Sequence, residues 1–159
     1  MQATLITFTQ KEGRKMLEIF FKECLYFTAS RLSRVITKMA EREFATIGLS
    51  PTSAFLLMAV YEKESISQKE IAQILHLQPS TVTRLIEKLI AKGVIVNRVE
   101  GRMSLISSTE KGIALADEIQ RCWTNLRSNY NDILGEKQGD ELTLQIFEAS
   151  EQLEFIEKG

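Results

Sequence analysis

Histidine and cysteine are scarce in this 159-residue chain, which holds one histidine, His76, and two cysteines, Cys24 and Cys122. A structural zinc site needs about four ligands, and the cysteines form no CxxC pair, so we expect neither a metal nor another cofactor. Two cysteines far apart in sequence also provide no disulfide framework. Reduced thiols in the cytoplasm are therefore the expected state.

Long apolar runs and catalytic motifs are also missing. No apolar run approaches the roughly 20 residues that span a bilayer, which argues against an integral membrane protein. The first residues, Met1 to Leu5, lack the basic start and apolar stretch of a secretory signal, so we expect none. No glycine-rich phosphate loop, Ser-His-Asp set or pair of carboxylates in a common motif is present, and we therefore expect no enzyme activity.

The composition is that of an ordinary globular protein, with 44% hydrophobic and 26% charged residues and a net charge of -1. The charges are unevenly distributed. Residues 65–112 hold seven positive and four negative side chains, a net +3, whereas residues 113–159 hold four positive and ten negative ones, a net -6. This asymmetry favours a DNA-facing region on an acidic scaffold.

Apolar spacing of three and four residues predicts a mainly α-helical (α+β) protein. A first helix is expected from between Thr9 and Met16 to about Ile47, where Gly48 ends it, and a second from Ser50-Pro51 to about Glu62. We expect one compact domain with three parts. They are an N-terminal dimerisation helix over residues 1–48, a winged helix-turn-helix over 49–112 and C-terminal dimerisation helices over 113–159.

The central region changes its periodicity. Ser67 to Glu70 form a capping box that opens a short helix ending near Leu75, and Pro79 starts another that Gly93 closes. Short β-branched and apolar runs on either side of Glu100-Gly101 then predict a hairpin. Thr109 is expected to cap a long helix, which Gly135 and Gly139 interrupt before a last helix.

Residues 67–93 predict a helix-turn-helix, with Ala72 at the close crossing and Ile71, Leu75, Leu77, Val82 and Leu85 packing the two helices together. His76 stands where the turn commonly has glycine, and we interpret it as a turn residue, because histidine tolerates the left-handed conformation. The side chains left exposed are suited to base edges and phosphates. They are Gln78, Ser80, Thr81, Thr83, Arg84 and Lys88.

The order of elements resembles the MarR family of dimeric winged-helix regulators. The motifs that carry the resemblance are the run Leu77 to Leu85, the run Leu89 to Gly93, and Ser108 to Gly112. It implies a dimer made by the first and last helices, a recognition helix in each major groove and a wing arginine in the minor groove. Arg102, then Arg98, are the candidates for that arginine. The family's Asp-x-Arg wing element is absent, and Glu100 is a candidate to hold the arginine instead.

The resemblance also suggests two sites of control. Family members bind effectors in a cleft between the dimer helices and the DNA domain, and Tyr26, Phe27, Phe55 and Trp123 are candidates to line it, although we favour core packing for these aromatics. A peroxide-sensing subset carries a reactive cysteine in a run that resembles Cys24 to Phe27. The supporting tyrosines are not matched here, and we favour core packing for Cys24 as well.

The chain ends predict a homodimer. The last helix carries an apolar stripe at coiled-coil-like spacing, and the start of the chain is also apolar. These residues are Leu142, Ile146, Ala149, Leu153 and Ile156, with Leu5, Ile6, Phe8, Leu17, Phe20 and Phe21. A two-fold dimer would bind a pseudo-palindromic duplex operator. We therefore expect a bacterial transcription regulator, most simply a repressor, whose DNA binding is controlled by a small-molecule or redox signal. The alternative is a winged-helix module that binds another protein and no specific DNA.

Overall fold

The computed structural model describes residues 10–157. In chain order the described part contains eight helices and three strands: α1 (Gln10–Glu23), α2 (Leu25–Ala45), α3 (Pro51–Tyr61), β1 (Ile66–Ser67), α4 (Gln68–Ile74), α5 (Pro79–Ala91), β2 (Ile95–Glu100), β3 (Met103–Ser108), α6 (Glu110–Ile113), α7 (Ala116–Leu134) and α8 (Glu136–Glu157). The predicted fold class is confirmed. Contacts divide the chain into two compact units at Ala40–Glu41, inside α2. Between residues 10 and 157, no helix is both long and apolar enough to cross a membrane.

The prediction of one long N-terminal helix is wrong, because the helix is broken at Cys24. Backbone hydrogen bonds still cross the break, from Cys24 N–H to Phe20 O and from Thr28 N–H to Cys24 O. The Thr28 hydroxyl also donates to Cys24 O at 2.9 Å and to Leu25 O at 3.2 Å. Back-bonding of this kind competes with the regular hydrogen bonds of a helix, which is consistent with a break at this position. Leu5, Ile6 and Phe8, which we expected in the dimer surface, lie outside the described residues.

The predicted helix starts are confirmed. Ser50 accepts from Ser53 N–H at 3.1 Å at the start of α3, and Thr109 accepts from Gly112 N–H at 3.1 Å at the start of α6. Ser67 and Glu70 form both bonds of the capping box. These contacts involve neighbours within three residues, so the local sequence is enough to specify them.

The expected long helix after Thr109 is instead two helices, α6 and α7. The reason is a hydrogen bond from a distant residue. The Tyr61 hydroxyl donates to Gly112 O at 2.6 Å, and the N–H of Leu115, three residues on, bonds to the same carbonyl. A tightened i to i+3 bond of this kind ends an α-helix.

The strands form an antiparallel sheet in the order β1-β3-β2. β1 has only two residues and pairs Ile66 with Ile106, and no sequence pattern predicts it. The hairpin turn also differs by one residue from our expectation. Glu100 pairs with Met103, so Gly101-Arg102 form the two-residue turn, with Gly101 at φ +63°. Glycine with positive φ at the first central position is typical of a type II′ turn.

The core of the second unit joins α3, the helix-turn-helix, the sheet and α7. Its fully buried side chains include Phe44, Leu56, Leu57, Ile66, Ile71, Val82, Leu89, Ile95, Ile106 and Ile119. Full burial of one such side chain contributes about 1.5–3 kcal/mol. Because α4, α5 and the wing share this core, their exposed faces are held on a common scaffold.

Candidate nucleic-acid interface

The helix-turn-helix consists of α4, a turn over residues 75–78, and α5. Ile71 from α4 and Val82 from α5 are fully buried, and Leu75 and Leu77 are half-buried against the same core. Ala72 also packs against this core at half burial. The packing residues expected from the sequence are thus brought together, and they orient the outer face of α5.

His76 adopts the left-handed conformation predicted for it, with φ +51°. No other non-glycine residue between positions 10 and 157 has a positive φ. The turn is closed by hydrogen bonds from Leu77 N–H to Ala72 O and from His76 N–H to Gln73 O. Nδ1 of His76 also lies 3.2 Å from a carboxylate oxygen of Glu154 on α8, a contact that the sequence did not predict.

The predicted recognition residues lie on the exposed side of α5. Val82, Leu85, Ile86 and Leu89 are buried, whereas Ser80, Thr81, Thr83, Arg84 and Lys88 are exposed. Gln78 is the N-cap of α5 and is also exposed, and its side chain makes no capping bond. Hydroxyl, amide and cationic groups thus stand together on one helix with their side chains in solvent.

Thr83 differs from the other recognition residues because its hydroxyl is engaged within the motif. It donates to Pro79 O at 3.0 Å and accepts a hydrogen bond from the side-chain amide of Gln68. One hydroxyl has a single hydrogen to donate, so what Thr83 still offers a ligand is its methyl group and one lone pair. Gln68 was not singled out from the sequence, because a contact between residues fifteen positions apart has no local signal.

Two of the lysines counted in the positive region serve the fold. Lys92 donates to Gly48 O at 2.9 Å, and Lys111 donates to Lys92 O at 2.8 Å. Cations at helix C-termini satisfy carbonyls that have no partner within the helix. The cations that remain for a ligand in this region are Lys69, Arg84, Lys88, Arg98 and Arg102, which are all exposed.

A charged contact stabilises the start of α4. Lys63 lies 2.6 Å from Glu70, and Glu70 also accepts from the N–H and the hydroxyl of Ser67 at 3.0 Å and 2.9 Å. The Lys63 hydrogen bond, with those from Ser67, lowers the pKa of Glu70 from 4.5 to about 2. The carboxylate is therefore ionised and engaged at neutral pH.

The wing presents its arginines at two places. Arg102 lies in the turn at the tip of the hairpin, and Arg98 is paired with Leu105 on the face of the hairpin that also carries Glu100. Both arginines are exposed. In the described chain, Glu100 forms no ion pair with either of them within 4.0 Å, so the structure gives no support to Glu100 as the residue that holds the wing arginine.

The four candidate effector residues fall in different units. In the second unit, Phe55 and Trp123 have ring centroids 4.2 Å apart, and Phe44 lies 4.4 Å from Trp123. The indole N–H of Trp123 donates to the sulfur of Met58 at 3.0 Å. Phe55 is 45% exposed, so this cluster reaches the surface.

The first unit contains the other two candidates. The Phe27 ring lies 4.8 Å from that of Phe21, and Tyr26 is exposed. Cys24, the candidate redox sensor, is a half-buried free thiol at the break between α1 and α2. Within the described residues, no group of three or more His, Cys, Asp and Glu side chains is placed to hold a metal ion.

Comparisons with known proteins agree with this geometry. Residues 49–98 match the model of the MarR family. CouR from Rhodococcus jostii RHA1, solved with p-coumaroyl-CoA, is 22% identical with a TM-score of 0.70, over 84% of this chain and 93% of CouR. MepR from S. aureus, solved with DNA, is 18% identical with a TM-score of 0.72. The match covers 83% of this chain and 99% of MepR.

The chain is also similar to a third solved structure. A MarR transcriptional regulator from Methanosarcina mazei Go1 is 21% identical with a TM-score of 0.71, over 85% of this chain and 92% of that one. No curated protein matches the sequence significantly. At these identities the structures show the shared fold alone, and the match to the family model is confined to residues 49–98. Residues 49–98 thus match the MarR-family model, and the chain has the fold of solved MarR-family regulators, in agreement with the resemblance that the sequence motifs indicated.

Proposed function

We propose that this protein is a transcription regulator that binds duplex DNA sequence-specifically as a homodimer and acts in the bacterial cytoplasm as a repressor. The observation that carries the proposal is the exposed face of α5, where Ser80, Thr81, Arg84 and Lys88 stand on a helix fixed by its buried side. A helix of this kind fits the major groove, where short polar groups and arginine read base edges.

The proposed contacts follow from position. Gln78, Ser80, Thr81 and Arg84 meet base edges, and Lys88 meets the phosphate backbone. Thr83 contacts DNA through its methyl group, since its hydroxyl donates to Pro79 O. Arg102 at the wing tip, with Arg98 behind it, enters the minor groove.

The homodimer is proposed from the apolar side chains that the chain leaves uncovered. In α8, Ile146, Leu153 and Ile156 are 46%, 54% and 73% exposed, and Leu17 and Phe20 of α1 are about half exposed. Apolar stripes of this kind need a partner surface, and a second copy supplies one by symmetry. A two-fold dimer would present two recognition helices about 34–36 Å apart to a pseudo-palindromic operator.

We further propose control of DNA binding by a small molecule. CouR was solved with p-coumaroyl-CoA and MepR with DNA, so proteins of this fold bind both classes of ligand. In the second unit, the surface-reaching ring cluster of Phe55 and Trp123 suits an effector, and in the first unit Tyr26 and Phe27 remain separate candidates. Redox control through Cys24 is the alternative. Peroxide-triggered release from DNA that disappears in Cys24→Ser would favour it.

The test of the proposed function is to select bound fragments from the source genome and to measure their affinity by fluorescence anisotropy. Arg84→Ala and Thr81→Ala should each weaken specific binding by about 1–3 kcal/mol while the circular dichroism spectrum is unchanged. Arg121→Ala is the matched control, because Arg121 is also exposed but lies on α7. Operator binding at wild-type strength in both recognition variants would contradict the proposal.

The second candidate function is a winged-helix module that binds another protein. The acidic balance of residues 113–159 and the absence of the Asp-x-Arg wing element favour it. The dependence of duplex affinity on salt concentration separates the two candidate functions. Phosphate contacts release counterions, so DNA affinity should fall steeply and linearly on a double-logarithmic plot against salt concentration. Duplex binding that is absent at low salt, with a protein partner captured instead, would favour the second candidate.

A further inference from the structure

Glu87 lies on the face of α5 that points away from the core. Successive residues of an α-helix are rotated by about 100°. Ser80, Arg84 and Glu87 therefore share an arc opposite the buried residues, which are Val82, Leu85, Ile86 and Leu89. Glu87 is exposed, and it follows Arg84 by three residues, about 4.5 Å along the helix axis.

No contact within the described residues explains Glu87. Glu70, in the same motif, is bonded to Lys63 and caps α4. The carboxylate of Glu87 by contrast has neither a hydrogen bond nor an ion pair among residues 10–157, and the residue is exposed. The geometry therefore gives no support for a role of Glu87 in holding the helix-turn-helix together.

A carboxylate on a face that approaches DNA is costly unless it meets a donor. Phosphate oxygens repel it, and so do the acceptor groups that guanine and thymine present in the major groove. The amino group N4 of cytosine is the donor that glutamate recognises there. The central position of Glu87 on the outer arc directs it to the base edges between the two phosphate backbones.

Resting on the proposed function, we propose that Glu87 is a specificity-determining residue that accepts a hydrogen bond from a cytosine amino group in the operator. The cytosine lies beside the base pair read by Arg84, because the 4.5 Å separation along α5 is comparable to the roughly 3.4 Å rise between base pairs. Glu87 also excludes sites that place an acceptor at this position. It therefore contributes selectivity and lowers the affinity for unrelated DNA.

The experiment compares wild type, Glu87→Gln, Glu87→Ala and the control Glu148→Gln. Glu148→Gln removes the same charge from the exposed side of α8. Each protein selects duplexes from a random pool, and anisotropy then measures its affinity for the selected site, for that site with the cytosine replaced, and for an unrelated duplex. The wild type should prefer cytosine roughly 5- to 150-fold.

The expected results separate base reading from a general effect of charge. Glu87→Ala should lose the cytosine preference, and Glu87→Gln should move it to adenine, which glutamine recognises through N6 and N7. Both should bind unrelated duplex more tightly, and Glu148→Gln should behave as wild type. An unchanged base preference, or a uniform gain in affinity for every duplex, would overturn the inference and leave the proposed function standing. A wild type that selects no sequence would overturn both.

Discussion

The winged-helix region and the last helix of this chain differ in how they are stabilised. α5 buries Val82, Leu85, Ile86 and Leu89 in a core that it shares with α3, α4, β3 and α7. α8 is longer, with 22 residues, but among all of them only Gly139 is buried. The winged-helix core is thus complete within one chain, whereas α8 leaves most of its large apolar side chains exposed. This difference separates a part with its own buried core from a part that, in the proposed homodimer, a second copy would cover.

The sequence predicted the self-contained region well because its signals are local. Ser50, Ser67 and Thr109 cap helices through bonds to residues three positions on, and Gly101 and His76 adopt the positive φ expected of them. Apolar periodicity also placed the buried stripe of α5 correctly. Each of these features depends on the chemistry of a few neighbouring residues.

The features that the sequence did not predict depend on distant contacts. β1 exists because Ile66 pairs with Ile106, and α6 ends early because the hydroxyl of Tyr61 bonds to Gly112 O. The engagement of Thr83 by Gln68 changes what Thr83 can offer to DNA. Partners this far apart in sequence leave no periodic signal, so these details required the folded structure.

The largest expected effect comes from breaking the uncovered stripe of α8. Replacing Ile146 and Leu153 together by Asp should abolish the dimer and operator binding, with loss of folding, because two charges would enter the proposed apolar interface. Light scattering and circular dichroism measure the two effects. Gln145→Asp with Gln152→Asp adds the same charge to exposed polar positions and should leave the dimer intact. A stable, folded wild-type monomer at micromolar concentration would contradict the architecture.

The second-largest effect, a loss of stability, is expected from a substitution at Gly112 in the winged-helix region. A Cβ there would lie 2.0 Å from the backbone oxygen of Val94, which also accepts the Thr109 N–H. Because backbone atoms cannot rotate away, Gly112→Ala should destabilise the protein by about 3 kcal/mol. Denaturant unfolding measures the loss. Gly13→Ala is the control, since nothing beyond its chain neighbours and its own helix backbone lies within 4 Å of its Cβ position, and alanine favours helix. Equal stability of the two variants would show that the junction of wing and α6 can relax.

A smaller effect is expected at Gly139, the buried residue of α8. Its Cβ would lie 1.9 Å from the side-chain oxygen of Asn131, a buried atom without a hydrogen-bond partner in the described chain. A side chain can move where a backbone cannot, so Gly139→Ala should cost about 1–2 kcal/mol. The double variant with Asn131→Ser should recover part of that loss, as a double-mutant cycle would measure. Strictly additive losses would show that the two residues are not coupled.

The smallest effect concerns the capping box of α4, inside the self-contained region. The pKa of Glu70 is lowered to about 2 from 4.5, so its stabilising contribution is complete above pH 4.5 and is lost as the pH falls towards 2. The difference in stability between wild type and Glu70→Gln should therefore shrink across that range. Lys63→Gln removes the largest cause of the shift and should raise the pKa of Glu70 towards 4.5. NMR titration of the Glu70 carboxyl measures both. A wild-type pKa near 4.5 would show that neither the Lys63 contact nor the Ser67 hydrogen bonds to the Glu70 carboxylate are maintained in solution.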